Sequence, residues 1–497
     1  MSRVFRTVIT GLCAFAVFLL SLPAFSQISC GGPPKADQHR RKAAESFPPL
    51  PLPATPLRRT EKKRPPAPPT LMAKVNYADK RLVSRDGSEI WGWTQASGDT
   101  KGLFQFARAQ LGINYKAEEL RAESFSWAPE RVPVMFFSGR EPVRLSDDEK
   151  ANLRRYIELG GFVFGDANCG SEEFAETFRV EMQSLYPDRP WYRLPADHPL
   201  LSSHFTIDKV EVNIDGGRKQ VSPVLEGLNV GFRTAILLTP YGIGCGWDDH
   251  THSEGKLIMP ADAKRLGVNL LAYVLAYYRV GRAQAVTTVF REAEPGTDEV
   301  VIAQLRHNGD WDPDPSGLSF LLRAAREDTT ADVKFRRVPV DPENADLFAF
   351  PFLYLTGQLD FAFTKPAREN LRAYLERGGF LFIVNASHRV DFDRAVRHEM
   401  KAIFPDNDLA PLAAEHPLFK AHNDIPVTPI LKEGRGAKPH FSLRIEGIDI
   451  SGGTAVVYAP LGLGAAWQDA ELPFTPMPER NYALALGVNA IVYAITH

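Results

Sequence analysis

The feature that most constrains this chain of 497 residues is an internal repeat. The run Leu153-Arg-Arg-Tyr-Ile-Glu-Leu-Gly-Gly-Phe-Val-Phe recurs as Leu371-Arg-Ala-Tyr-Leu-Glu-Arg-Gly-Gly-Phe-Leu-Phe, at an offset of 218 residues. The same offset holds without a gap over residues 134–200, where 21 of 67 positions are identical. Self-similarity over such a length indicates a duplicated structural unit. We therefore predict two copies of one domain.

The repeat continues towards the C-terminal end of each copy. Trp247 pairs with Trp467, and Gly267-Val-Asn pairs with Gly487-Val-Asn, both at an offset of 220. Two residues have been gained and nothing has been reordered. The chain is accordingly predicted to contain a signal peptide (1–26), a Pro-rich basic disordered linker (27–70), copy 1 (71–281), a second linker (282–297) and copy 2 (298–497).

Each copy alternates strand and helix patterns. The apolar runs Val132-Pro-Val-Met-Phe-Phe and Ala349-Phe-Pro-Phe-Leu-Tyr-Leu are typical of strands buried on both faces. Ser146-Asp-Asp-Glu predicts a capping box that opens a helix, and Gly160 is placed to close it in a left-handed conformation. Short apolar strands that alternate with helices predict a doubly wound, parallel α/β sheet.

The end of copy 1 carries two further patterns. Thr234-Ala-Ile-Leu-Leu-Thr-Pro followed by Tyr241-Gly-Ile-Gly-Cys-Gly-Trp predicts two strands joined through a glycine turn. The long apolar run that begins at Gly267 predicts the closing helix of the domain.

The N-terminal segment has the pattern of a secretory signal. An apolar run from Val8 to Leu20 precedes Ala24-Phe-Ser26, which has small residues at the two positions that signal peptidase reads. The run is too short to span a bilayer of roughly 30 Å comfortably, so no transmembrane helix is expected in the mature chain. We predict an exported protein, periplasmic or secreted, cleaved near Ser26. A lipid anchor on Cys30 is disfavoured because no leucine stands three residues before it.

The net charge of −2 conceals a segregation of charge. Residues 31–70 contain nine Lys and Arg, three Asp and Glu, and eleven prolines, which leaves the folded part acidic. Such a stretch buries too little apolar surface to fold and is expected to act as a spacer. Attachment to an acidic envelope surface is the alternative. Nucleic-acid binding is disfavoured, since the folded part is acidic and the basic stretch lacks interleaved aromatic residues.

Four motifs recur in a fixed order. Strands end in Ser138-Gly and Thr356-Gly, a Gly-Gly-apolar strand follows, and then come Asp197-His-Pro-Leu and Glu415-His-Pro-Leu, with a late Tyr241-Gly-Ile-Gly turn. Together they resemble the flavodoxin-like fold of class I glutamine amidotransferases and trehalose-utilisation-like proteins. More narrowly, they resemble the bacterial domain-of-unknown-function family 4159, matched twice. The resemblance implies two tandem flavodoxin-like domains.

The amidotransferase relatives need a cysteine on the strand-to-helix turn, together with a His and a Glu that activate it. Copy 1 has Ala167 at that position, and copy 2 reads Asn385-Ala-Ser. Neither closing segment offers the His-x-Glu pair. The resemblance therefore implies the fold without glutamine hydrolysis, and no cofactor is expected.

Copy 1 carries polar residues that copy 2 lacks, after two of its strands. They are the candidate catalytic or ligand-binding residues Asp166, Asn168 and Cys169, and the candidate metal ligands Cys245, Asp248, Asp249, His250 and His252. Ligands in parallel α/β sheets bind beyond the carboxyl ends of strands, and a mixed Cys/His/Asp set suits a zinc-like ion. A solvated acidic loop is the favoured alternative. Free thiols are likewise favoured over a Cys169–Cys245 bridge, because copy 2 has Ser and Ala there.

Two further sets of residues are weaker candidates. His198 and His416 follow a carboxylate in both copies and suit acid–base catalysis, although hydrogen bonding to nearby backbone is the favoured interpretation. Trp91 and Trp93 lie in an insertion of copy 1, where exposed aromatic rings would contact a ligand or glycan. Core packing is favoured for both tryptophans.

These patterns lead to two functional hypotheses. The favoured one is a non-catalytic binding or scaffolding protein of the cell envelope, with an unknown protein or glycan as its partner. The alternative is a hydrolase or metal-dependent enzyme whose site lies in copy 1 only.

Overall fold

The computed structural model describes residues 68–78, 81–83, 89–91, 98–121, 128–251, 253, 255–287, 300–329, 333–432 and 439–497. The predicted signal peptide, nearly all of the first linker, and most of the second lie outside the described residues. Trp93 and His252 lie outside them as well. Both copies fall within one compact unit, Ala67–His497.

Copy 1 builds one seven-stranded sheet with helices on both faces and two small sheets, of three and two strands. Its elements are β1 (Thr70–Asn76), β2 (Arg81–Val83), β3 (Glu89–Trp91), α1 (Asp99–Leu111), β4 (Lys116–Arg121), β5 (Val134–Gly139), α2 (Asp147–Glu158), β6 (Phe162–Ala167), α3 (Glu172–Leu185), β7 (Tyr192–Arg193), β8 (Val210–Ile214), β9 (Gly217–Val221), β10 (Glu226–Val230), β11 (Arg233–Thr239), α4 (Gly244–Trp247), β12 (Lys256–Ile258) and α5 (Pro260–Ala283).

The main sheet of copy 1 has the order β4-β1-β5-β6-β11-β10-β7. Its first five strands are parallel, while β10 and β7 add an antiparallel edge. The parallel part follows the flavodoxin-like order, in which the second strand lies outside the first. Strands β12, β8 and β9 form a separate antiparallel sheet.

Copy 2 repeats the main sheet, and its described residues form neither of the small sheets. Its elements are β13 (Val300–Leu305), α6 (Gly317–Asp328), β14 (Val333–Val340), β15 (Phe352–Gly357), α7 (Lys365–Glu376), β16 (Phe380–Asn385), α8 (Val390–Ile403), β17 (Ala410–Pro411), β18 (Glu446–Ile450), β19 (Gly453–Ala459), α9 (Leu463–Trp467) and α10 (Arg480–Thr496). The sheet order β14-β13-β15-β16-β19-β18-β17 matches copy 1 strand for strand. The predicted tandem doubly wound fold is confirmed.

Local signals account for several element boundaries. The Ser146 hydroxyl accepts the Glu149 N–H at 3.3 Å, and the Glu149 carboxylate accepts the Ser146 N–H at 2.8 Å, which is the predicted capping box. Gly160 follows this helix with a φ of 105°, a conformation that favours glycine. The closing helix is also present, although it begins at Pro260, ahead of the predicted run.

One strand prediction was wrong. The segment from Gly244 to Trp247 forms the short helix α4 and not a second strand after β11. Its first N–H groups, those of Ile243 and Gly244, are held by the Asp166 carboxylate at 2.9 and 3.1 Å. The helical conformation of this segment therefore depends on a residue of another strand. The local sequence pattern, which predicted a strand, does not contain that contact.

The duplication extends to tertiary contacts. The Trp247 indole donates to the Ala263 carbonyl at 2.9 Å, and the Trp467 indole donates to the Ala483 carbonyl at 2.9 Å. One hydrophobic cluster runs through both copies, and each copy has a second cluster of its own on the opposite face of its sheet. None of the helices in the described part of the chain is long and apolar enough to cross a membrane.

Candidate functional site

Asp166 lies at the carboxyl end of β6, where the fold places ligand sites, yet it is fully buried. Its carboxylate accepts the N–H groups of Ile243 and Gly244 and lies 3.2 Å from the hydroxyls of Ser138 and Thr239. Burial raises its pKa to about 6, against the lowering effect of the two backbone hydrogen bonds. Asp166 thus ties three strand ends to α4 and presents no free oxygen to a substrate.

A second buried carboxylate lies beside this network. Asp99, the first residue of α1, forms a 2.6 Å ion pair with Lys74 of β1, and both side chains are buried. Its Oδ2 lies 3.4 Å from the position that a Cβ on Gly244 would take. The space beyond the carboxyl ends of the copy 1 strands beside Asp166 is therefore filled by charged side chains of the protein itself.

Copy 2 fills the same space with a carboxylate from a different position in sequence. Gly317 stands where copy 1 has Asp99, and a Cβ there would lie 1.7 Å from Asp314 Oδ2. Asp314 Oδ1 accepts from Gly317 N at 2.9 Å and from Gln468 at 2.6 Å, while Oδ2 has no hydrogen-bond partner among the described residues. Burial raises the pKa of Asp314 to about 7. Because alignment pairs Asp99 with a glycine, sequence comparison of the copies misses this equivalence.

Cys169 and Cys245 converge on one amide. Their sulfurs lie 3.8 and 3.0 Å from Asn168 Oδ1, and both cysteines are free thiols. Cys169 is half-buried and has a φ of 54°, on the turn between β6 and α3. Hydrogen bonding with Cys245 lowers the pKa of Cys169 to about 7, while the same pairing and burial raise the pKa of Cys245. Copy 1 therefore holds a pair of thiols in which Cys169 has the lower pKa.

The predicted metal loop follows α4. His250 Nδ1 lies 3.2 Å from Asp248, and its side chain is largely exposed. Asp249, with a φ of 58°, pairs with Lys264 at 2.6 Å. The structure joins this loop to the Asp166–Cys169 turn through Cys245, whose carbonyl accepts the His250 N–H at 2.9 Å. Among the described residues, no group of three or more His, Cys, Asp or Glu side chains is arranged to hold a metal ion.

His198 and His416 occupy equivalent places in the two copies. Each Nδ1 accepts a backbone N–H two residues on, at 3.1 Å, so each Nε2 carries the proton and donates to Thr234 or Thr454. Burial lowers the pKa of both imidazoles. Each ring therefore caps a short 3-10 helix with both nitrogens engaged. Trp91 pairs with Arg81 in the β2–β3 ladder, and its side chain lies outside the described part.

Sequence reasoning missed a crevice of about 510 Å³ at the carboxyl edge of the copy 2 sheet. It lies at the boundary between β13 and β15, the switch point of the fold. Its polar and aromatic walls include Asp188, Arg306, Asn308, Trp311, Asp341 and Thr364. The signal in sequence was Arg306-His-Asn directly after the first strand of copy 2.

The His307 ring is the buried wall of this crevice. Its Nε2–H donates to the Thr356 carbonyl at 2.8 Å, and its Nδ1 accepts the Gly309 N–H at 3.0 Å. Burial lowers its pKa to about 4. His307 is thus neutral near pH 7 and shapes the crevice, while Arg306 and Asn308 are exposed on its rim, with Asn308 Oδ1 accepting the Ala362 N–H at 3.3 Å.

The fold defines a tandem α/β protein with flavodoxin-like sheets, in which buried carboxylates lie against the short helix of each copy and a separate crevice opens between β13 and β15 of copy 2. The chain belongs to the family described as domain of unknown function 4159, whose model matches residues 73–275 and again residues 301–495. The tandem pair expected from the sequence motifs is confirmed.

Other comparisons add little. No curated protein matches the chain significantly. One solved structure, titled provisionally as a phosphosugar isomerase from Silicibacter pomeroyi, is 10% identical and covers 63% of this chain and 75% of its own, with a TM-score of 0.15. A likeness this weak carries no argument about fold or function.

Proposed function

We propose that this protein is an exported, non-catalytic component of the cell envelope that binds or scaffolds a partner through its two tandem domains. The observation that carries the proposal is the state of the candidate catalytic groups. Asp166 and His198 are buried, and their polar atoms are engaged in hydrogen bonds within the fold. Groups held in this way position backbone and do not reach a substrate.

The open crevice of copy 2 supports a binding role. Its volume is within the range of small-ligand and side-chain pockets, and its rim offers the exposed Arg306 and Asn308. Trp311 lies beside the Arg306 guanidinium, 5.3 Å from ring centre to carbon. A cation, an amide and an aromatic ring on one rim form contacts for a polar partner surface.

Two experiments test the proposal. The purified chain is assayed against panels of amides, esters and glycosides, and no turnover is expected. Turnover that disappears in Asp166→Asn or His198→Ala would refute a non-catalytic role.

The second experiment sediments the chain with isolated cell-envelope fractions. Loss of co-sedimentation is expected for the double variant Arg306→Ala/Asn308→Ala, and retention for Arg394→Ala, a charge on α8 outside the crevice.

Export is part of the proposal and rests on the N-terminal sequence pattern. Fractionation of cells that express the full chain is expected to place it outside the cytoplasm. N-terminal sequencing of that material is expected to begin just after Ser26. Retention of the intact N-terminus in the cytoplasm would contradict export.

A second candidate function follows from Cys169. A positive φ on a strand-to-helix turn is where hydrolases hold a nucleophile, and the Cys169 thiol is both accessible and activated. The Cys169 sulfur lies 3.8 Å from Asn168 Oδ1. Hydrogen bonding with Cys245, and not a histidine base, would favour the thiolate form of Cys169. Thioester hydrolysis that is abolished in Cys169→Ser and unaffected in Asp166→Asn would favour this thiol-dependent enzyme.

A further inference from the structure

A cavity of about 350 Å³ lies in copy 1, at the opposite edge of the sheet from Asp166. It is lined by the C-terminal turns of α2 and α5, the turn between β10 and β11, and Pro315 of copy 2, and it is partly open to solvent. The charged side chains that line it are those of Arg154, Glu158, Arg189 and Arg233, and the neutral polar ones are those of Tyr186, Gln284 and Thr287. Three of these carry positive charge and one carries negative charge.

Arg233 is the unusual member of this lining. It is the first residue of β11 and is only 4% exposed. Its Nη2 donates to the Ile157 carbonyl at 2.7 Å, and no carboxylate in the described part of the chain forms an ion pair with it. A buried guanidinium without a counter-charge destabilises the fold, because no ion pair offsets the free energy lost when the charge is removed from water. The other cations are compensated, since Arg154 pairs with Glu158 and Arg189 with Asp310.

The surrounding backbone makes room for this side chain. A Cβ on Gly281 would lie 2.6 Å from Arg233 Nε, so α5 approaches the guanidinium through a glycine. Copy 2 has Gly453 at the position of Arg233, which shows that the fold itself does not require a cation there. Copy 1 therefore places on the wall of this cavity one positive charge that has no ion-pair partner in the described part of the chain.

We propose that this cavity is a binding site for a small oxyanion, a carboxylate or a phosphate group, which the Arg233 guanidinium holds by paired hydrogen bonds. The planar fork of a guanidinium matches two oxygens of either group. The apolar walls, Ile157 and Val230 among them, suit the carbon portion of a small organic acid or phosphate ester. The site is separate from the crevice of copy 2, so it stands or falls independently of the proposed partner-binding role.

Isothermal titration calorimetry on the full chain tests the proposal, with inorganic phosphate and acetate titrated separately at constant ionic strength in chloride. Binding of at least one of the two anions is expected, and the stronger one identifies the ligand chemistry. Arg233→Gln is expected to weaken that binding by about tenfold or more, and Arg233→Lys by less, because lysine keeps the charge but loses the fork.

The repeat offers a matched control. Arg154 and Arg372 occupy equivalent places, each pairing with a glutamate one turn on, but only Arg154 lines this cavity. Arg154→Gln is expected to weaken anion binding a few-fold, and Arg372→Gln is expected to leave it unchanged. Equal losses for the two variants, or binding of neither anion by the wild-type chain, would overturn the proposal.

A purely structural role for Arg233 makes the opposite prediction about stability. If it only caps the carbonyls at the end of α2, Arg233→Gln lowers the melting midpoint in chloride buffer and leaves anion affinity unchanged, which also overturns the proposal. If it serves a ligand, the midpoint in chloride stays the same or rises, because the variant removes a buried charge that lacks a counter-ion. Phosphate or acetate then stabilises the wild-type chain and not the variant.

Discussion

At the scale of single residues, Asp166 and Asp314 show how the same buried group can be satisfied or left incomplete. Each oxygen of Asp166 accepts a different backbone N–H, whereas both donors to Asp314 reach the same oxygen. Burial raises the pKa of both carboxyl groups. Their substitution by asparagine is therefore expected to have opposite consequences.

We expect Asp314→Asn to stabilise the protein at pH 8. A carboxyl group whose pKa is higher in the folded chain lowers the free energy of unfolding as pH rises from its unfolded to its folded pKa. For Asp314 that window runs from about 4 to about 7. The asparagine lacks this titration and keeps both hydrogen bonds to Oδ1, so the gain should reach about 2 kcal/mol at pH 8 and vanish near pH 4.

Melting midpoints measured from pH 4 to pH 8 check this expectation. Asp166→Asn serves as the control, because its amide leaves either Ile243 or Gly244 without an acceptor. That variant should melt at a lower temperature than the wild type at pH 5. The loss in free energy of unfolding should be about 1–3 kcal/mol. A constant difference between Asp314→Asn and the wild type across this range would contradict the account.

The thiol pair supports a second prediction at this scale. Cys169 should be alkylated by iodoacetamide faster than Cys245, with a rate that rises through about pH 7, because its pKa is lowered and it is half-exposed. Cys245→Ala, the residue that copy 2 has at this position, should move the midpoint of that profile upwards, since it removes the main stabilising hydrogen bond. Peptide mass mapping separates the two sites. Equal alkylation rates at both cysteines would contradict the lower pKa and greater exposure of Cys169.

At the scale of elements, the start of α2 is set by local sequence and the start of the short helix α4 is not. The capping box of α2 was readable from Ser146 and Glu149 alone. The helix α4 was not, because its first N–H groups are held by Asp166 from another strand. Local hydrogen bonding can be read from sequence, whereas a cap supplied from a distant strand depends on the sheet being formed first.

Ser146→Ala should lower the free energy of unfolding by about 1 kcal/mol, since it removes one acceptor of the capping box from an exposed helix start. Thr364→Ala provides the comparison in copy 2, where the hydroxyl accepts the Ala367 N–H at 3.4 Å and donates to Glu343 at 2.6 Å, and where Ala367 stands in place of the glutamate of a capping box. Urea unfolding of both variants checks this. An equal or larger loss of unfolding free energy for Thr364→Ala would show that the reciprocal hydrogen bond of the capping box adds no stability.

At the scale of the whole molecule, the two copies are joined by a buried polar contact and a shared apolar cluster. Asp310 of copy 2 pairs with Arg189 of copy 1 at 2.9 Å and accepts from Gln358 at 2.8 Å. Gln358 also donates to the Gly231 carbonyl of copy 1 at 2.9 Å. Removing Gln358 would take a hydrogen-bond partner from the buried Gly231 carbonyl of copy 1 and from the buried Ser387 hydroxyl of copy 2, while Asp310 would keep Arg189 and Asn229.

We expect the two copies to unfold together. Because one hydrophobic cluster spans them, calorimetry should show a single transition for the folded part. Gln358→Ala should lower its midpoint by an amount that corresponds to about 2 kcal/mol, because the Gly231 carbonyl and the Ser387 hydroxyl lose their hydrogen bonds to Gln358. Two resolved transitions in the wild-type chain would show instead that each copy is stable alone.

The sequence by itself determined the duplication, the strand order implied by its family motifs, and the helix caps, because each of these rests on local pattern or on similarity between the copies. Only the tertiary structure decided that Asp166 is closed off, that Asp314 replaces Asp99, and that Arg233 faces a cavity without a counter-charge. A residue type announces which hydrogen bonds and charges it can offer. Whether they face a ligand or the protein itself depends on distant strands and helices that meet only in the folded chain.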